Sequence, residues 1–122
     1  MQLADIVKAL DLAVFTDQPL PEGEIRLGYV SDLLSDVLGH APAGALWVTL
    51  QSHPNVVAVA SLVGLSGVIL SGGTVPDPRT LEQAAAVGVT LLGSSLPAFE
   101  LVGRLYQLGI VGFESAASRR NS

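Results

Sequence analysis

Five consecutive residues, Gln51-Ser52-His53-Pro54-Asn55, crowd two amides, a hydroxyl and an imidazole into one short stretch. Two further clusters follow, Ser71-Gly72-Gly73-Thr74 and Gly93-Ser94-Ser95. Imidazole titrates near neutrality, so His53 suits a general base or a phosphate contact. It equally suits a residue that hydrogen-bonds the turn after it. Glycine and serine bring backbone amides and hydroxyls to an anion or to the polar edge of a nucleotide. The same two residues are also what a tight turn requires. Gln51, Ser52, His53, Asn55, Ser71, Gly72, Gly73, Ser94 and Ser95 are therefore the candidate ligand-binding set.

Other chemistries find less support. The only second histidine is His40, at a different helix end, so a zinc site lacks ligands. With no cysteine, disulfides, thiolate metal sites and thiol nucleophiles are all excluded. Gly64-Leu65-Ser66-Gly67 has the first half of a nucleophile elbow, but Val68 stands where a second glycine is needed. Asp32 and Asp36 fall one turn apart on an expected helix, a spacing that serves acid-base work or a solvated face. There is no G-x-x-x-x-G-K-[ST] and no G-x-G-x-x-G, and the only lysine is Lys8. A self-sufficient kinase or dehydrogenase is thereby excluded, and no catalytic residue, metal or cofactor is assigned.

The elements that must position these residues are legible in the pattern. Residues 2–10 place Leu3, Ile6, Val7 and Leu10 on one helical face. Residues 12–15 read as a strand, 17–23 as a turn, and 25–30 as extended chain. Ser31 is the expected N-cap of a helix carrying Asp32 in its first turn and Leu33, Leu34, Val37 and Leu38 on its apolar face. A regular alternation follows: strand 45–50 into helix 54–63, strand 67–70 into a helix capped by Asp77 with Pro78 at its first position, and strand 89–92 into helix 96–108. Ile110 to Phe113 adds a last strand, and 116–122 is expected to be a flexible tail after a single domain over 1–115.

Short apolar runs alternating with helices argue for βαβ units: an α/β fold, a three-layer α/β/α sandwich around a mainly parallel sheet. In such a sheet ligands bind outside the carboxyl ends of the strands. All three polar clusters fall there, which is why a strand must break at Gln51 and restart as a helix after Pro54.

Gross composition narrows the partners. The chain of 122 residues has six Lys plus Arg against eleven Asp plus Glu, a net charge of -5, and no basic cluster beyond Arg119-Arg120. Nucleic-acid binding needs a positive face and is not expected. From Val37 to Pro76 no residue is charged. Its most apolar part, Val56 to Leu70, is shorter than the roughly 20 residues a span needs. It is also interrupted by Ser61, Gly64, Ser66 and Gly67, so no membrane association is expected. The first residues lack a cationic lead into an apolar run, so a cytoplasmic protein is expected rather than a secreted one.

Residues 28–73, GYVSDLLSDVLGHAPAGALWVTLQSHPNVVAVASLVGLSGVILSGG, with Pro76-Asp77 and the block LLGSSLPAFELVGRLYQLG at 91–109, resemble a DRTGG domain of the small stand-alone kind. Similar modules stand at the N-terminus of HPr kinase/phosphorylase, in some phosphotransacetylases and between the CBS domains of regulated pyrophosphatases. The resemblance implies an HPr kinase N-terminal-domain-like fold and a regulatory or assembly role rather than catalysis. Gly72-Gly73 match the family's final glycines, whereas Ser71 stands where the motif has Thr. Ser52-His53-Pro54 occupies the place of its Asp-Arg element, and His53 and Asn55 fit a subfamily feature.

The leading expectation is a non-catalytic regulatory module that forms a homodimer or higher homo-oligomer through an apolar surface. It would sense a nucleotide or a phosphorylated small molecule at the strand-end loops. One alternative is an enzyme, or an enzyme subunit, acting on a phosphorylated small molecule with His53 as acid-base and Ser71 to Thr74 as anion cradle. Another is an interaction subunit for a partner enzyme, with no small ligand.

Overall fold

The computed structural model describes residues 1–113. In chain order the elements are α1 (Leu3–Leu10), β1 (Ala13–Val14), β2 (Leu27–Val30), α2 (Leu34–His40), β3 (Leu46–Thr49), α3 (Asn55–Val63), β4 (Gly67–Leu70), α4 (Pro78–Val87), β5 (Leu91–Gly93), α5 (Ala98–Gln107) and β6 (Val111–Gly112). The six strands form one sheet in the order β1-β5-β4-β3-β2-β6. Every pairing is parallel except β1 with β5. The fold is thus α/β with a mostly parallel sheet.

The period of two along each strand divides the core into two layers. Leu46, Val48, Ile69 and Leu92 point to the face covered by α1 and α5, where Leu3, Ile6, Leu101 and Leu105 meet them. Trp47, Val68, Leu70 and Leu91 point to the opposite face, against Val37 of α2, Val56, Val57 and Ala60 of α3, and Ala84 of α4. Residues 46–49 and 67–70 are buried throughout because both faces are covered, which explains the uncharged stretch in the sequence. Trp47 is wholly buried, and its indole N–H donates to the Ser31 carbonyl at 2.9 Å.

Several expected boundaries shift. Strand 45–50 contracts to Leu46–Thr49, strand 89–92 to Leu91–Gly93, and helix 96–108 to Ala98–Gln107. The helix expected to be capped by Ser31 begins only at Leu34, with Leu33 as its N-cap residue. Ser31 Oγ instead accepts the Leu33 amide at 3.1 Å, closing a local turn. Asp32 therefore precedes the helix, and the two carboxylates do not share a helical face. Asp77 is the N-cap residue of α4 by backbone position, but its side chain makes no capping bond. Residues 116–122, expected to form a tail, lie outside the described residues. Among the described residues no helix is long and apolar enough to cross a membrane.

Candidate functional site

The carboxyl ends of β2, β3, β4 and β5 carry the expected polar clusters, and hydrogen bonds sort these into two groups. At the exit of β3, buried Thr49 donates from Oγ1 to Asp32 Oδ1 at 2.8 Å, and the Leu50 amide donates to the same oxygen at 2.8 Å. Gln51 Nε2 donates to the Asp32 carbonyl at 3.0 Å. Gln51 is thus a strut between the ends of β3 and β2. The Ser52 carbonyl accepts Thr80 Oγ1 at 2.6 Å and the Asp77 amide at 3.4 Å, which ties this loop to the first turn of α4.

His53 is exposed, and its Nδ1 accepts the Asn55 amide at 3.2 Å. That bond satisfies one of the free amides at the start of α3, the turn-stabilising role open to it from sequence. Asn55, also exposed, opens α3 behind Pro54. His40 sits at the end of α2, where its Nδ1 lies 3.2 Å from Asp36 Oδ1. Among the described residues, no three His, Cys, Asp or Glu side chains come together in a way that could hold a metal ion.

The second group joins the exits of β4 and β5. Gly72 donates to the Leu96 carbonyl at 2.7 Å and Gly73 to the Ser94 carbonyl at 2.8 Å. Both glycines have positive φ, 66° and 76°, which an L side chain adopts only with strain. The Thr74 amide closes back on the Ser71 carbonyl at 3.2 Å, and Ser94 Oγ accepts the Leu96 amide at 3.1 Å. Sequence reading foresaw free amides here. The structure corrects that: the amides of Gly72, Gly73 and Thr74 are engaged, because the two turns bond to each other. What they leave for a ligand is hydroxyls, carbonyls and the amide of Ser95, which donates to no partner among the described residues.

Ser71 is fully buried, and its hydroxyl is an orphan, without a hydrogen-bond partner. Beside this turn pair lies an open cleft of ≈ 300 Å³ lined by Asp11, Ala13, Phe15, Gly73, Thr74, Gly93, Ser94 and Ser95. Asp11 and Phe15 are contributors that sequence reading missed. Asp11 follows α1 with φ of 51°, and nothing in the pattern signals a left-handed aspartate there.

A second feature is apolar. Between α5 and the β2–β6 edge runs a groove of ≈ 290 Å³ lined by Val30, Val48, Val102, Tyr106, Ile110 and Phe113, among others. It continues through Val30 and Val102 into an open hollow of ≈ 500 Å³ beside Phe99, which is 91% exposed.

No family model matches the chain, and no curated protein matches it. Among solved structures it is similar to the regulatory region of Clostridium perfringens pyrophosphatase, comprising CBS and DRTGG domains and solved in complex with its activator, diadenosine tetraphosphate. The TM-score is 0.69 at 16% sequence identity. The match covers 89% of this chain and 47% of that one, so the chain spans about half the length of its neighbour. At that identity the likeness is one of fold: this chain folds as part of that regulatory region does.

Proposed function

We propose that the chain is a cytoplasmic regulatory module of the DRTGG kind, not a catalyst, which self-associates and responds to a nucleotide or phosphorylated small molecule at its strand-end loops. The observation that carries this reading is the fold match over 89% of the chain to a regulatory region solved with a nucleotide activator. The open cleft beside the β4 and β5 exits supports it, because it lies where parallel sheets bind ligands. The exposed Phe99 beside an apolar groove supports self-association, since large apolar patches on a small domain usually end in an interface.

A thermal-shift panel of nucleotides, dinucleotides and phosphorylated metabolites tests the ligand part. A ligand held at 100 times its Kd stabilises by about 2.7 kcal/mol, an easily read shift. No shift across the panel refutes ligand sensing. In that case the groove favours the second reading, an interaction subunit for a partner enzyme. Light scattering of wild type and Phe99→Ser tests assembly: an oligomer that the substitution dissociates is expected, and a monomeric wild type refutes self-association.

A further inference from the structure

We infer that the cleft between β1 and the β4 and β5 exits is a nucleoside site, in which Asp11 accepts the ribose hydroxyls and the base lies against Phe15. This deepens, and rests on, the reading of the chain as a nucleotide-responsive module.

The chemistry of the lining selects the ligand. The lining combines the carboxylate-bearing Asp11 and the hydroxyl-bearing Thr74, Ser94 and Ser95 with the apolar Phe15 and Ala13. The antiparallel register of β1 on β5 pairs Ala13 with Gly93, so the residues just before β1 and just after β5 lie at the same end of the pair, and Asp11 and Ser95 line one cleft there. A carboxylate and hydroxyls together with an aromatic ring in one lining fit a flat heterocycle that bears a diol. A carboxylate can take both hydroxyls of a ribose, as acidic residues do at dinucleotide sites. No Lys or Arg lines the cleft, so the site holds the nucleoside and leaves any phosphates in solvent. A volume of ≈ 300 Å³ stands at the small end of ligand pockets, enough for one nucleoside and too little for two.

Asp11 itself is the backbone outlier of the chain. The helices α3 and α4 end in a left-handed residue that is glycine, Gly64 at φ 79° and Gly88 at φ 75°. Helix α1 ends the same way at φ 51°, but with Asp11, the single non-glycine residue of positive φ among the described residues. Glycine would hold that turn at less cost, so a carboxylate there points to a use for the side chain. None of the ion pairs among the described residues engages it.

Calorimetric titration of adenosine, 2′,3′-dideoxyadenosine, AMP and ATP into wild type, Asp11→Asn and Ser95→Ala tests the site. Asparagine tolerates the left-handed conformation, so the first variant changes the acceptor and not the fold. Adenosine and AMP are expected to bind wild type alike. The dideoxy analogue and Asp11→Asn should each weaken binding by about tenfold, and Ser95→Ala by less, as expected when hydrogen bonds to a charged acceptor are lost. AMP or ATP binding that ignores both the diol and Asp11, or that strengthens steeply with phosphate number, overturns this site while leaving the regulatory reading intact. No binding of any of these compounds by a folded wild type overturns the nucleoside site, and the regulatory reading falls with it only if the phosphorylated metabolites of the thermal-shift panel also fail to bind.

Discussion

The ring of Phe15 lies directly over Gly93: a Cβ built on Gly93 would meet Phe15 Cε2 at 2.6 Å and Cζ at 2.7 Å. Glycine at the end of β5 is therefore a packing requirement, because it lets the aromatic ring that follows antiparallel β1 close onto a parallel strand. Gly93→Ala is expected to push the ring aside and to cost roughly 1–3 kcal/mol in unfolding free energy. In a Phe15→Ala background the same change should cost almost nothing. Equal costs in the two backgrounds, measured by urea unfolding, would rule out the contact as the cause.

Ser71 carries a hydroxyl that is fully buried and bonds to nothing. A buried polar group without a partner costs about 1–3 kcal/mol, so Ser71→Ala should raise stability by up to that amount. A loss of stability in denaturant melts would show that the hydroxyl has a partner in solution.

Asp32 joins the ends of β2 and β3 by accepting from Thr49 Oγ1 and the Leu50 amide, while its carbonyl accepts Gln51 Nε2. Asp32→Ala removes the two side-chain bonds and leaves the buried Thr49 hydroxyl without its acceptor. The expected loss is roughly 1–3 kcal/mol, and faster amide exchange at Leu50 should accompany it. Unchanged exchange at Leu50 would contradict the latch.

Tyr29 Oη donates to Asp36 Oδ2 at 2.9 Å, linking β2 to α2. Hydrogen bonds from Ser31 and then Tyr29 hold the Asp36 carboxyl below its ordinary range. Burial, and then the bond to Asp36, pushes the Tyr29 phenol up. A depressed carboxylate stabilises the fold above its unfolded pKa and loses that contribution as pH falls through the folded value. The raised phenol is the reverse case: its contribution is complete below the unfolded pKa and is lost as pH rises through the folded one. Tyr29→Phe should move the Asp36 titration upward, read by carboxyl carbon NMR, and make stability less sensitive to alkaline pH. An unmoved titration would sink this coupling.

The central strands were readable because residues 46–49 and 67–70 are buried on both faces and so leave unbroken apolar runs. The antiparallel direction of β1 was not, because two residues between a helix and a turn carry no mark of direction. Ser31 misled as an N-cap because Ser followed by Asp fits a local turn and a helix start equally well, and the two differ only in where the hydroxyl bonds. The loops were placed at the correct sheet edge, but their amides could not be seen to be engaged, since Gly72 and Gly73 bond to residues more than twenty positions away. Asp11 escaped notice for a related reason: its significance lies in a backbone angle and in what folds opposite it.

The most direct test of the regulatory, ligand-responsive account is amide hydrogen exchange on wild type with and without a saturating nucleotide from the binding panel. The account predicts added protection confined to residues 11–15, 72–74 and 93–96, around the cleft at the carboxyl edge. Protection confined to the opposite, amino-terminal edge of the sheet, or none with any nucleotide, would contradict it.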